Sequence, residues 1–89
     1  MPAVGDLTVT VEQELRSLTN LPAPVKRWNI EIGEDATGEM AVWVWAVLDD
    51  ADLTRGVRNG LRERIDREVR RVVPNASWVY VRFRATSEE

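Results

Sequence analysis

Histidine and cysteine are both missing from these 89 residues, and lysine occurs once, at Lys26. Without histidine the chain has no side chain that ordinarily titrates near neutral pH and no imidazole to hold zinc. Without cysteine it has no disulfide, no thiolate nucleophile and no thiolate metal ligand, so a reducing cytoplasm suits it and a disulfide framework is excluded. Neither a Walker pattern nor a strand-linked GxGxxG occurs, which removes two common nucleotide cradles. The longest apolar run, Met40 to Leu48, is far short of the roughly 20 residues that span a bilayer. The opening residues Met1-Pro2-Ala3-Val4-Gly5-Asp6 lack the basic and apolar regions of a signal peptide. From these absences we expect no enzyme, no cofactor, no metal site and no membrane segment. Carboxylate catalysis is the class left open, and nothing in the sequence pairs particular acids for it.

What is present is a chain of single-domain size, because two halves would each be too small to sustain a core. We expect one α+β domain over residues 1–89 with its ordered core at about 7–85. The formal charge of -3 gives no overall pull toward nucleic acid, but it is unevenly laid out. Met1 to Thr54 carries 3 basic and 10 acidic residues, and Arg55 to Glu89 carries 9 and 5, so the second part is locally basic.

Thr10-Val11-Glu12-Gln13 has the form of a capping box, and Val11, Leu15 and Leu18 follow at helical spacing, which predicts a short helix from Val11 to Thr19. Leu7 to Val11 alternates in the manner of a strand and offers an alternative start. Leu21-Pro22-Ala23-Pro24 then forces an extended linker. Trp28, Ile30 and Ile32 alternate with Arg27, Asn29 and Glu31 between Lys26 and Gly33, the signature of a strand with one buried face. Glu34 to Glu39 is a polar turn with Gly38 available for positive φ, and Met40 to Leu48 reads as the second strand of an antiparallel hairpin, covered on both faces. Asp49, Asp50, Asp52 and Thr54 are candidate caps for the next helix, where Val57, Leu61, Ile65, Val69 and Val73 recur every four residues. Pro74 and Asn75 end it, and Trp78 to Ala85 is a third strand reached by a crossover expected to be right-handed.

The predicted order is αββαβ, a two-layer sandwich on a three-stranded mixed sheet, with a ferredoxin-like βαββαβ arrangement as the alternative if Leu7 to Val11 is a strand. This order resembles the cytoplasmic domain of cation diffusion facilitators and, more loosely, ferredoxin-like modules. The resemblance covers most of the chain through its element order and implies the scaffold and a tendency to dimerise. It does not carry over the metal sites, which in that family are built largely from histidine.

Alternation gives the sheet an unusual second face. Val79, Val81, Phe83 and Ala85 suit packing under the long helix, which leaves Trp43, Trp45, Trp78, Tyr80, Arg82 and Arg84 together on the other side. Four large aromatics at about 150–250 Å² each amount to roughly 600–1,000 Å², above the roughly 300–600 Å² of a typical monomer's largest patch. The competing expectation is that the N-terminal helix folds over this face and makes it core. Against that, the helix has one narrow apolar stripe, and arginines among aromatics are typical of interaction surfaces.

The favoured reading is therefore a non-enzymatic module that homodimerises or binds a partner protein, for example as an accessory subunit of the antitoxin type. Single-stranded nucleic acid stacked on the same face ranks below it, because the chain is acidic and has no RNP-like motif. A small-ligand sensor with its pocket at a dimer boundary is a third reading.

Arg55, Arg58 and Arg62 form a secondary basic face on the long helix. Its other arginines are expected to pair with acids: Glu63–Arg67 and Asp66–Arg70 in the favourable order, Arg62–Asp66 and Arg64–Glu68 in the reverse one. The acids Asp49, Asp50 and Asp52, like Glu34, Asp35 and Glu39, are read as caps and turn residues and not as ligands. Gly56 and Gly60 are positions where the helix backbone could approach a neighbour closely.

Overall fold

The computed structural model describes residues 4–88. Its elements are helix α1 (Val4–Arg16), strands β1 (Arg27–Glu34) and β2 (Met40–Leu48), helix α2 (Arg55–Val72) and strand β3 (Trp78–Ala85), with short 3-10 turns at Asp50–Asp52 and Thr86–Glu88. The fold is α+β in αββαβ order, with β2 in the middle of a mixed sheet, antiparallel to β1 and parallel to β3.

The helix at the start of the chain differs from expectation at both ends. It runs from Val4 to Arg16, so Leu7 to Val11 is helical and the ferredoxin-like alternative falls. Thr10 is an exposed residue inside the helix and not its cap. The β-branched alternation is overridden because Leu7, Val11 and Leu15 fall on one helical stripe that packs into the core, joined by Leu18 just beyond the helix. The end comes three residues before Thr19. The carbonyls of the last turn are satisfied locally, by the Ser17 amide and hydroxyl and the Leu18 amide; beyond it Asn20 takes a left-handed φ of 58°, and Arg64 of α2 donates to the loop carbonyls of Thr19 and Asn20 at 3.0 and 3.3 Å.

Thr54, and none of the aspartates, caps α2: its hydroxyl accepts from Val57 N at 3.2 Å. Asp50 is used elsewhere, accepting from the Ser87 hydroxyl at 2.6 Å and the Ser87 amide at 3.3 Å, which ties the last turn of the chain to the turn after β2. In the hairpin turn Asp35 accepts from the hydroxyl and amide of Thr37 and from Glu39 N, and Gly38 sits at φ 81°, which a side chain would strain.

The core is built from one parity of every strand. Trp28 and Ile32 of β1, Val42, Val44, Ala46 and Leu48 of β2 and Val81 of β3 pack with Val11 and Leu15 of α1 and Leu61, Ile65 and Val69 of α2. Both helices therefore lie on the same side of the sheet, α1 against β1 and α2 against β3, touching each other between. Gly60 is where α2 meets the proline linker, since a Cβ there would stand 2.9 Å from Pro22 Cγ, whereas one at Gly56 would meet nothing. Among the described residues no polar or charged side chain is buried.

Candidate functional site

The strand register lays out the uncovered face in four rows. They are Gly33–Ala41–Trp78, Glu31–Trp43–Tyr80, Asn29–Trp45–Arg82 and Arg27–Val47–Arg84, each written β1 to β3. The structure thus brings Trp43, Trp45, Trp78, Tyr80, Arg82 and Arg84 onto one side of the sheet, and α1 lies on the opposite side. β2 is consequently not covered on both faces. The small residues Ala41 and Val47 are nonetheless buried: Val47 lies between Arg27 and Arg84, and Ala41 lies beside Trp78.

The aromatics are less exposed than four separate side chains would be. Trp43 and Tyr80 stack with centroids 5.7 Å apart and 20° between planes. They and Trp45 are half-buried, and only Trp78 stands well out, at 49% exposure. Its indole N–H donates to a Glu39 carboxylate oxygen at 2.8 Å. The exposed aromatic surface is therefore about half or less of the 600–1,000 Å² expected, which brings it back to the size of an ordinary monomer's largest patch. The stacked Trp43 and Tyr80 rings shield each other, an effect that summing side chains ignores.

What distinguishes the face is its charge. Arg82 and Arg84 are exposed and make no ion pair among the described residues, and the same holds for Arg55 and Arg58 on α2. The remaining arginines of α2 are engaged. Arg67 meets Glu63 at 3.2 Å and Arg70 meets Asp66 at 3.0 Å, as the favourable spacing predicts. The reverse pairs do not form: Arg64 goes to the Thr19 and Asn20 carbonyls in the loop after α1, and Arg62 lies over the Phe83 ring at 5.4 Å while reaching Asn59 Oδ1 at 3.5 Å. Arg71 bridges Glu68 and Glu14, joining the two helices. Its guanidinium holds the Glu68 carboxyl below its ordinary pKa, and Glu68 in turn raises Arg71. The basic face of α2 is therefore divided, with Arg62 resting on the helix-side ring of β3 and Arg55 and Arg58 free in solvent.

Glu31, Asn29 and Arg27 share the aromatic face. Their alternation with Trp28, Ile30 and Ile32 was the available signal, and pairing β1 with β2 assigns them to particular neighbours. Glu31, Trp43, Trp45 and Arg82 line a shallow open depression of about 310 Å³. A larger hollow of about 420 Å³ lies away from this face, between the end of α1 and the proline linker, where Leu15, Leu18, Leu21 and Trp28 line it together with Arg16 and Asn20.

Among the described residues no group of three or more acids converges as a metal site, and no helix is long and apolar enough to cross a membrane. Comparison with protein-family models, with curated proteins and with solved structures finds no match to this chain.

Proposed function

We propose that this chain is a non-enzymatic interaction module that self-associates through the open face of its sheet. The observation that carries the reading is that Arg82 and Arg84, without counter-ions among the described residues, stand beside aromatic rings on a face that neither helix covers. Rigid rings and planar guanidiniums give large contact energy for little ordering cost, which is why they concentrate at protein interfaces. The αββαβ order shared with the cytoplasmic domains of cation diffusion facilitators supports the same reading through the tendency of those domains to dimerise. In an accessory or antitoxin-like role, a different protein would occupy the same face.

Light scattering on the wild type and on a Trp43→Glu, Trp45→Glu variant tests it. The wild-type mass should approach twice that of the chain as concentration rises, and the variant should remain folded and monomeric. A wild type that stays monomeric, with a variant that unfolds, would make the face part of the fold's own stability and end this reading.

A second reading has one observation in its favour. The Trp43–Tyr80 stack beside Arg82 is a platform on which single-stranded bases could lie. Glu31 in the adjoining depression and Glu39 on Trp78 oppose a phosphate backbone there. A gel shift that weakens with rising salt would favour nucleic acid over a second copy.

A further inference from the structure

We propose that the second copy sits inverted on the first, related by a two-fold axis that runs across the strands. This rests on the self-association reading above and assigns its geometry. Along β3 the open face carries Trp78 and Tyr80 toward the hairpin turn and Arg82 and Arg84 toward the other end. Rings occupy one half of that strand and cations the other. A two-fold exchanges the halves only if its axis crosses the strands, between the row containing Trp43 and the row containing Trp45.

Two sheets packed face to face lie about 10 Å apart, and a guanidinium is attracted to a ring within about 6 Å of its centroid, so an arginine reaching across that gap meets a ring opposite it. In the inverted arrangement Arg82 faces Tyr80 of the second copy and Arg84 faces its Trp78. Trp45 faces Trp43, Val47 faces Ala41, and Asn29 faces Glu31, where an amide can donate to a carboxylate. No two like charges stand opposite each other.

A face-to-face two-fold with its axis along the strands opposes β1 to β3 within the same row. It sets Asn29 against Arg82 and Glu31 against Tyr80, so neither Arg82 nor Arg84 meets a ring of the second copy. The pairing of cations with rings therefore selects the inverted form. The face is three strands wide and eight residues long, about 14 by 26 Å at ordinary strand spacings, which puts the contact near or below the small end of specific interfaces. The dimer should accordingly be dissociable, with a dissociation constant of micromolar order or weaker.

A charge exchange tests the register. Arg82→Glu and Tyr80→Arg, each confirmed folded by circular dichroism, should separately weaken dimerisation by about tenfold or more, since one loses the cation–ring contact and the other places arginine against Arg82. Mixed together they should associate with each other. In the mixed pair the carboxylate introduced in one chain faces the guanidinium introduced in the other, while the unaltered Tyr80 and Arg82 keep their contact at the second site. Variants that dimerise alone as the wild type does, or that fail to combine although the wild type dimerises, overturn the inverted arrangement and leave self-association standing. A wild type that is monomeric throughout removes both. A second measurement leaves the face unaltered: with no native cysteine, an Ala36→Cys nitroxide label marks the hairpin turn alone. Inversion puts the two labels at opposite ends, more than about 30 Å apart, whereas an axis along the strands would bring them within about 20 Å and overturn the proposal.

Discussion

The two sides of this sheet are built from alternate residues of the same three strands and have opposite characters. Beneath the helices Val42, Val44, Ala46, Leu48, Leu61, Ile65 and Val69 have no accessible surface, and among the described residues no polar side chain intrudes. On the far side stacked aromatics are mixed with Arg82, Arg84, Asn29 and Glu31, all in contact with water to some degree. The difference shows what each side can contribute. Closed apolar packing supplies folding free energy, whereas an arginine in water adds little to stability until something desolvates or pairs it.

The strongest way to break this comparison is to delete volume from each side. Leu61→Ala, in the closed core, should cost about 2–5 kcal/mol in chemical denaturation. Trp78→Ala, on the open face, should stay within about 1 kcal/mol, since roughly half of that side chain is already exposed. Comparable losses at the two positions would mean that the open face belongs to the folding core.

A smaller contrast lies within α2. Gly56→Ala should raise stability by about 0.5–1 kcal/mol through helix propensity alone, because nothing stands near the new methyl. Gly60→Ala gains the same propensity but drives a methyl to 2.9 Å from the Pro22 ring, where overpacking of about 1–3 kcal/mol should outweigh it. Thermal melts of the two variants should therefore shift in opposite directions.

The smallest effect concerns pH. Hydrogen bonds from the Ser87 hydroxyl and amide hold the Asp50 carboxyl below its ordinary pKa. A carboxylate depressed by folding adds stability above its unfolded pKa, near 3.9, and that contribution disappears as pH falls through the lower folded value. Hydrogen exchange at the Ser87 amide should therefore show unchanged protection between pH 7 and pH 5, with the loss confined to strongly acidic pH. Asp50→Asn should weaken the pH dependence without touching the sheet.

Particular residues show how far the sequence could be read. Val57, Leu61, Ile65 and Val69 announced α2 because a four-residue repeat matches the helical period, and Met40–Leu48 and Trp78–Ala85 had the strand limits that β propensity and the flanking turns imply. The six candidate face residues were legible for a similar reason, since a two-residue period fixes the side of a strand on which each stands. At Thr10 the local signals misled: a threonine three residues before a glutamine is equally a capping box or two exposed positions of a longer helix, and burial of Leu7 on the core decided between them. The aspartates before α2 misled similarly, because Asp50 was taken by Ser87, 37 residues away.

By itself, then, the sequence determined periodicity, element order and the face on which each strand residue lies, since these follow from backbone geometry repeated over a few neighbours. Only the tertiary structure decided that α1 joins α2 on one side of the sheet, that Trp43 stacks on Tyr80, that Arg62 lies on Phe83 while Arg82 and Arg84 find no ion pair among the described residues, and how much aromatic surface remains exposed. Those outcomes depend on contacts between residues far apart in the chain, where the competition for burial and for counter-ions is settled by the whole assembly of elements and by no local pattern.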